Sequence, residues 1–329
     1  MVKPDIIVIG ASAGGVEALT RLVNPLPGDF PATLFITLHF PSNSISVLPQ
    51  ILNRRGHLQA VHPQDNEVIR PGIIYVARPD YHLIIKPEQI QLSHGPRENA
   101  FRPSIDTMFR SAAHSYRRRV IGVILSGSMD DGTVGLALIK HYGGVTIVQD
   151  PDEALFSGMP RSAIERVKID HILKVADIPS MLIQLTHQPI QQEEIMVDEI
   201  AKESEIVAQH KADLEQGKHS GSASMLTCPD CGGVLWELQE GNLLRYRCHV
   251  GHAYSVDSLL EQQGNDVERA LWGAIRALEE KAALARRMAA QARTHHRALS
   301  ESQFLQRAQE AEQQAALVRQ VILQQMETH

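Results

Sequence analysis

Cysteine is scarce in this chain. Three cysteines occur among 329 residues, all between 228 and 248, and an odd number gathered in one stretch excludes a disulfide framework as the basis of the fold. No apolar run reaches the about 18 residues that mark a membrane-spanning helix. No charged-then-apolar leader precedes the first strand-like segment, which begins at Ile6. These absences predict a cytoplasmic protein with no direct membrane insertion. Positive charge is also short: 32 Lys and Arg stand against 38 Asp and Glu, for a net charge of -6. That balance argues against the basic face on which counterion release from nucleic acid depends, so no nucleic-acid partner is expected. What the chain does have is apolar residue, 43% of the total, enough for a sizeable core.

Residues 1–190 alternate strand-like and helix-like segments. Asp5–Ile9, Thr33–His39, Arg119–Ser126, Val145–Gln149 and His171–Val175 read as strands, and Val16–Val23 and Val134–Tyr142 as helices. Strands alternating with helices predict an α/β fold with a doubly wound, mostly parallel sheet. Ile73–Ala77, Leu83–Lys86 and Ile90–Leu92, separated by turn signals, predict an attached β-hairpin or meander. Residues 191–224 read as a polar helix followed by a flexible Gly/Ser linker at 217–224. Residues 225–256 form a small Cys/His module. From 257 to 329 apolar residues recur at spacings of three and four, as at Leu271, Ile275, Leu278 and Ala282 and again from Phe304 through Ala308, Ala311, Ala315 and Val318 to Ile322. This pattern predicts an α-helical hairpin or coiled coil, a packing element suited to self-association.

The richest chemical signal is Gly10-Ala11-Ser12-Ala13-Gly14, a G-x-S-x-G turn between a strand and a helix. That context suits a nucleophile elbow, with the following amides at a helix N-terminus able to hold an oxyanion. A Gly-rich turn of this kind also serves to hold phosphate. The dinucleotide fingerprint, however, needs Gly where Ser12 stands and an acid where the second strand ends in Leu38-His39. A P-loop needs Gly-Lys-Ser/Thr, but Gly15 is followed by Val16-Glu17. A serine hydroxyl requires a base, and His39 ends the second strand at the same sheet edge; a structural hydrogen bond is the alternative role. Ser126-Gly127-Ser128-Met129-Asp130-Asp131-Gly132 brings an acidic pair to that edge. One carboxylate suits an imidazole orienter and the other a helix N-cap.

These segments, with Arg102-Pro103-Ser104-Ile105-Asp106 and Ser157-Gly158-Met159-Pro160, resemble the chemotaxis protein-glutamate methylesterase (CheB-type) family, in order over residues 5–170. The resemblance implies Ser12 as nucleophile, His39 as general base and then acid, and Asp131 as its orienter. It implies hydrolysis of glutamate methyl esters on chemoreceptor-like helices, with glutamine deamidation open to the same chemistry and no catalytic cofactor. Arg102 and Ser104 are candidates for the substrate cleft, with Arg102 equally suited to an ion pair. The chain departs from the family in Ser126-Gly127-Ser128-Met129, where Thr-Gly-Met-Gly is usual, and in Ala13, where Thr is usual. With four residues ahead of the first strand, no receiver domain is expected before it.

The Cys/His module has a zinc-ribbon plan. Cys228-Pro-Asp-Cys231-Gly-Gly is a knuckle, and Cys248-His-Val-Gly-His252 follows a hairpin formed by Val234–Leu238 and Leu243–Arg247. Cys228, Cys231, Cys248 and His252 are the expected ligands of a structural zinc, with His249 the alternative fourth ligand and reduced, metal-free cysteines the alternative state.

Overall fold

The computed structural model describes residues 3–40, 45–190, 221–240 and 243–326. The alternating pattern of the first 190 residues folds as a parallel sheet of seven strands. They are β1 (Ile6–Ala11), β2 (Thr33–Leu38), β3 (Gln59–Val61), β5 (Ile73–Val76), β8 (Val120–Ile124), β9 (Val145–Gln149) and β10 (His171–Leu173). Their order across the sheet is β10-β9-β8-β1-β2-β5-β3. β1 is fully buried, and its side chains alternate between two cores as the two-residue period of a strand dictates. Ile7, Ile9 and Ala11 enter one core with helices α1 (Gly15–Val23), α2 (Leu48–Asn53) and α6 (Ile178–His187). Ile6 and Val8 enter the other with α3 (Ile105–Tyr116), α4 (Thr133–His141) and α5 (Gly158–Arg166). The sheet is thus doubly wound. The chain leaves β1 toward β2 and later returns to its other side as β8, so the carboxyl ends of β1, β2 and β8 meet at a topological switch point, where open α/β sheets build their sites.

The expected meander is present as an antiparallel sheet of β4 (Glu67–Val68), β7 (Gln89–Ser93) and β6 (His82–Lys86), in that order. The Cys/His module is a four-stranded antiparallel sheet, β11 (Ser222–Thr227), β12 (Val234–Glu240), β13 (Leu243–Cys248) and β14 (Ala253–Ser255). Its first strand corrects the expected linker. Ser222 and Ala223 are small and carry no large apolar group but pair with β12, and the backbone bonds of an edge strand need no apolar side chains. The helix expected at 191–216 and residues 217–220 lie outside the described residues.

Helices α7 (Val256–Thr294) and α8 (Ala298–Met326) form the expected hairpin. Ile275, Ala282, Ala285 and Ala289 of α7 are buried, as are Ala308, Ala311, Ala315 and Ile322 of α8. Pairs Arg319–Glu279 at 2.6 Å and Arg286–Glu312 at 2.7 Å fix the antiparallel register. The described residues up to Leu259 pack as one compact unit and those from Leu260 as a second. The Cys/His module therefore belongs with the α/β domain, and the boundary falls inside α7 rather than at 257, because Ser258 and Leu259 are buried in the first unit.

Candidate active site

Ser12 follows the last residue of β1, and two contacts hold the turn in which it sits. Its amide donates to the Ser126 carbonyl at 2.9 Å, and Ser126 Oγ donates to the Ala13 carbonyl at 2.8 Å. Gly14 caps α1 with φ 72°, and a Cβ there would lie 2.8 Å from Ser126 Oγ, so the turn requires glycine. The chain then enters α1, whose first amide, of Gly15, donates to the Ser12 carbonyl at 2.9 Å. Among the described residues, the amides of Ala13 and Gly14 donate to no protein acceptor, leaving them available to an anion.

His39 follows β2, with its side chain only 4% exposed. Its Nε2 lies 2.8 Å from Asp131 Oδ2 and its Nδ1 lies 3.2 Å from Ser12 Oγ. A carboxylate only accepts, so the proton sits on Nε2 and Nδ1 is the free base facing the serine. This reverses the nitrogen assignment of trypsin-like proteases while keeping the same chain of groups. The Phe101 ring stacks on the imidazole at 3.6 Å between centroids and 7° between planes.

Asp131, in the loop between β8 and α4, is 1% exposed. Oδ2 also accepts from the Ile105 amide at 2.7 Å, and Oδ1 accepts from Asn99 Nδ2 at 2.8 Å, Ser104 Oγ at 3.0 Å and the Asp106 amide at 3.2 Å. Burial alone would push its carboxyl up. The His39 hydrogen bond and charge, with the Ile105 and Asn99 donors, outweigh it and hold the group below the ordinary carboxylate value. Asp106 is its counterweight. Fully buried and facing the Asp131 charge, it is pushed up to about 7. Asn99 Nδ2 donates to both carboxyls, to Asp106 at 2.9 Å.

The acidic pair divides its work: Asp131 faces His39, while Asp130 accepts from Ser255 Oγ at 2.8 Å and Ser258 Oγ at 2.9 Å. Ser104 is the N-cap of α3 and fully buried, so it holds Asp131 rather than lining a cleft. Arg102 forms the ion-pair alternative: its Nη2 and Nε donate to Asp80 Oδ1 at 2.7 and 2.9 Å, and Nη1 donates to the Gly95 carbonyl at 2.7 Å. Asn99 and Phe101 escape a reading of the sequence. Their only local signal is their position just before Arg102-Pro103-Ser104, in a segment whose partners lie far away in the chain.

The second cluster is Cys228, Cys231, Cys248 and His252, whose ligand atoms all lie within 4.8 Å of one another. Cys231 and Cys248 sulfurs are 3.6 Å apart, and His252 Nδ1 is 3.6 Å from Cys228 Sγ and 3.5 Å from Cys248 Sγ. A tetrahedral ion bound at the usual zinc–sulfur length of about 2.3 Å has ligand–ligand edges of this size, so the four groups can bind a metal ion. His252 rather than His249 joins the set.

Comparison with known proteins decides the lineage. Residues 7–182 match the sequence profile described as CheB methylesterase. The chain belongs to the CheB methylesterase family. A Thermotoga maritima relative named protein-glutamate methylesterase/protein-glutamine glutaminase is 35% identical over 188 residues, 56% of this chain and 55% of that protein. A Leptospira interrogans protein provisionally named for the same activities is 39% identical over 189 residues, 57% of this chain and 98% of its own. The crystal structure of the Thermotoga maritima CheB methylesterase catalytic domain superimposes with a TM-score of 0.54 at 34% identity, covering all of that chain and 56% of this one. The CheB fold is thus residues of the α/β domain, and the module and helical hairpin lie beyond the matched segment.

Proposed function

We propose that this chain is a serine hydrolase that removes methyl esters from glutamate side chains of chemoreceptor-like proteins, with Ser12, His39 and Asp131 as its triad. The observation that carries this reading is the continuous relay from Ser12 Oγ through His39 to the buried Asp131 carboxylate, at 3.2 and 2.8 Å, in a CheB family member. His39 Nδ1 takes the proton as Ser12 Oγ attacks the ester carbonyl. Asp131 stabilises the imidazolium without itself being protonated. The oxyanion is received by the Ala13 and Gly14 amides at the α1 N-terminus. Imidazolium returns its proton to the leaving methoxide, and methanol departs. Water, deprotonated by His39, then releases glutamate and restores Ser12. A glutamine amide in the same place loses ammonia by the same steps, which fits the second activity in the relatives' names.

The domain reading is 1–190 for catalysis, a Cys/His module whose sheet begins at Ser222, and a helical tail from Leu260 that supports self-association. Cys228, Cys231, Cys248 and His252 would hold a structural zinc, which cross-links the knuckle to β13 and leaves no open position for chemistry. No helix among the described residues is long and apolar enough to cross a membrane, in keeping with action in the cytoplasm on receptors' exposed helices. The test is methanol release from methylated receptor membranes by wild type and Ser12→Ala. Release by wild type and none by the variant is expected; equal release by both overturns the reading.

A further inference from the structure

The segment 97–101 joins the Cys/His module to both partners of Ser12. Toward the module, the Asn99 amide donates to the Ala253 carbonyl at 2.7 Å, the Ala253 amide to the Arg97 carbonyl at 3.2 Å, and the Ser255 amide to Asn99 Oδ1 at 2.9 Å. β14 thereby meets the α/β domain in an isolated parallel bridge, Glu98 to Ala253. Beside it, Glu98 accepts from Arg110 at 2.7 Å and from Arg245 of β13 at 3.1 Å. Ala100 packs on the module's core of Cys228, Leu235, Tyr246, Cys248, Tyr254 and Leu259. Toward the triad, Asn99 donates to Asp131 and Phe101 stacks on His39.

Two features show that this segment is held by the module. Asn99 and Ala100 are consecutive non-glycine residues in the left-handed region, at φ 52° and 68°. Such a pair persists only where its surroundings over-determine it. Asn99 is also fully buried with both amide hydrogens given to carboxylates, so its Oδ1 depends on the Ser255 amide. The module itself has few apolar residues to stand on. Two of its six core residues, Cys228 and Cys248, are members of the metal-ligating cluster. A module this small leans on such a cross-link.

We propose that the Cys/His module is a positioning element for the triad, acting through Asn99, so that metal loss at the Cys228, Cys231, Cys248 and His252 cluster is felt at the His39–Asp131 pair. The reading of Ser12, His39 and Asp131 as the triad underlies it. Asn99 is a positioning residue: it touches no reacting atom but fixes the carboxylate that fixes the imidazole. The class of effector is a divalent metal ion, and a chelator or competing thiol-binding metal acts as an inhibitor from a distance.

The experiment uses the full chain loaded with zinc. Arg245→Met removes the nearer of the two β13 guanidiniums that face Glu98, Arg247 lying 3.9 Å away, with Arg245→Lys as the conservative variant. Three readouts are taken: kcat and KM for methanol release, bound zinc, and the downfield proton resonance of His39 Nε2–H. Arg245→Met is expected to lower kcat by about tenfold or more with KM little changed, as a misplaced catalytic group does, and to broaden the resonance. Arg245→Lys restores both. Stripping zinc from wild type with a chelator has the same two effects, reversed by returning zinc. If zinc-stripped wild type keeps both its kcat and its resonance, the proposal is wrong. Should Arg245→Met fail to fold, Asn99→Ala, which removes the acceptor of the Ser255 amide and the donor to Asp131, takes its place; unchanged kcat and resonance there also overturn the proposal. Ser12→Ala run alongside separates the two readings. Its full turnover would remove the triad assignment, while the resonance of the zinc-stripped protein would still decide whether module and His39–Asp131 pair are coupled.

Discussion

Asp130 and Asp131 are neighbours in the chain that face opposite ways: Asp131 grips His39 at 2.8 Å, and Asp130 grips Ser255 and Ser258 at 2.8 and 2.9 Å. One loop therefore anchors the imidazole of the proposed triad and a downstream module through adjacent carboxylates. Their substitutions should separate. Asp131→Asn is expected to lower kcat by about 10³–10⁴-fold, since the amide cannot hold the imidazole tautomer as the carboxylate does. Asp130→Ala leaves two buried hydroxyls without their acceptor and is expected to cost about 1–3 kcal/mol. Single-turnover kinetics and urea unfolding of the two variants check the contrast.

Covalent labelling tests the order of events at Ser12. A serine-directed fluorophosphonate is expected to modify Ser12 in wild type. It should react far more slowly with His39→Ala, because the free Nδ1 is the only base within hydrogen-bond reach of Oγ among the described residues. Peptide mass spectrometry locates the adduct; an adduct elsewhere, with Ser12 unmodified, contradicts the assignment.

Asp106 gives the protein a stability slope with pH. Its folded value is raised to about 7 from an ordinary 3.8, by burial first and then by the Asp131 charge. The native state therefore binds this proton more tightly than the unfolded chain does. The associated stabilisation is complete below the unfolded value and is lost as pH rises through about 7. Wild type should lose stability relative to Asp106→Asn between about pH 4 and 7 and show a constant difference above that. Urea midpoints of both proteins across this range give the answer; parallel profiles would count against it.

The nucleophile turn tolerates no side chain at Gly14. Gly14→Ala is expected to cost about 1–2 kcal/mol for the left-handed backbone, with a further loss of turnover as the new Cβ pushes on Ser126 Oγ, 2.8 Å away. Surface pairs of the tail are a useful contrast. Arg319→Ala breaks a pair with both side chains about half exposed and should change stability by about 0–1 kcal/mol. Thermal unfolding of the two variants compares them directly.

The parts of this site that were legible in the sequence are those whose signals are local. Ser12 announces itself through flanking glycines, and His39 and Asp131 through their places after strand-forming runs. The cysteine knuckle carries its own spacing, and the hairpin helices carry their own period. What stayed hidden depends on contacts between distant residues. Asn99 meets the Ser255 amide across 156 positions, and no local pattern marks a residue for such a partner. Arg102 suits two roles by its local sequence, and what decides between them is Asp80, 22 positions away. The small residues 222–224 imitate a linker because an edge strand is held by its backbone, which composition does not display.

The bridge between Arg97–Asn99 and Ala253–Ser255 also bears on the order of synthesis. The ribosome releases Ser12, His39, Asn99 and Asp131 well before β14 exists. Until about residue 255 has emerged, Asn99 Oδ1 has only water to accept from, and the left-handed pair at Asn99-Ala100 lacks the wall that holds it. On the proposed triad, a nascent chain thus carries its nucleophile, base and acid while the network around the acid is still unfinished. On the proposed coupling, turnover begins only once β14 has been made.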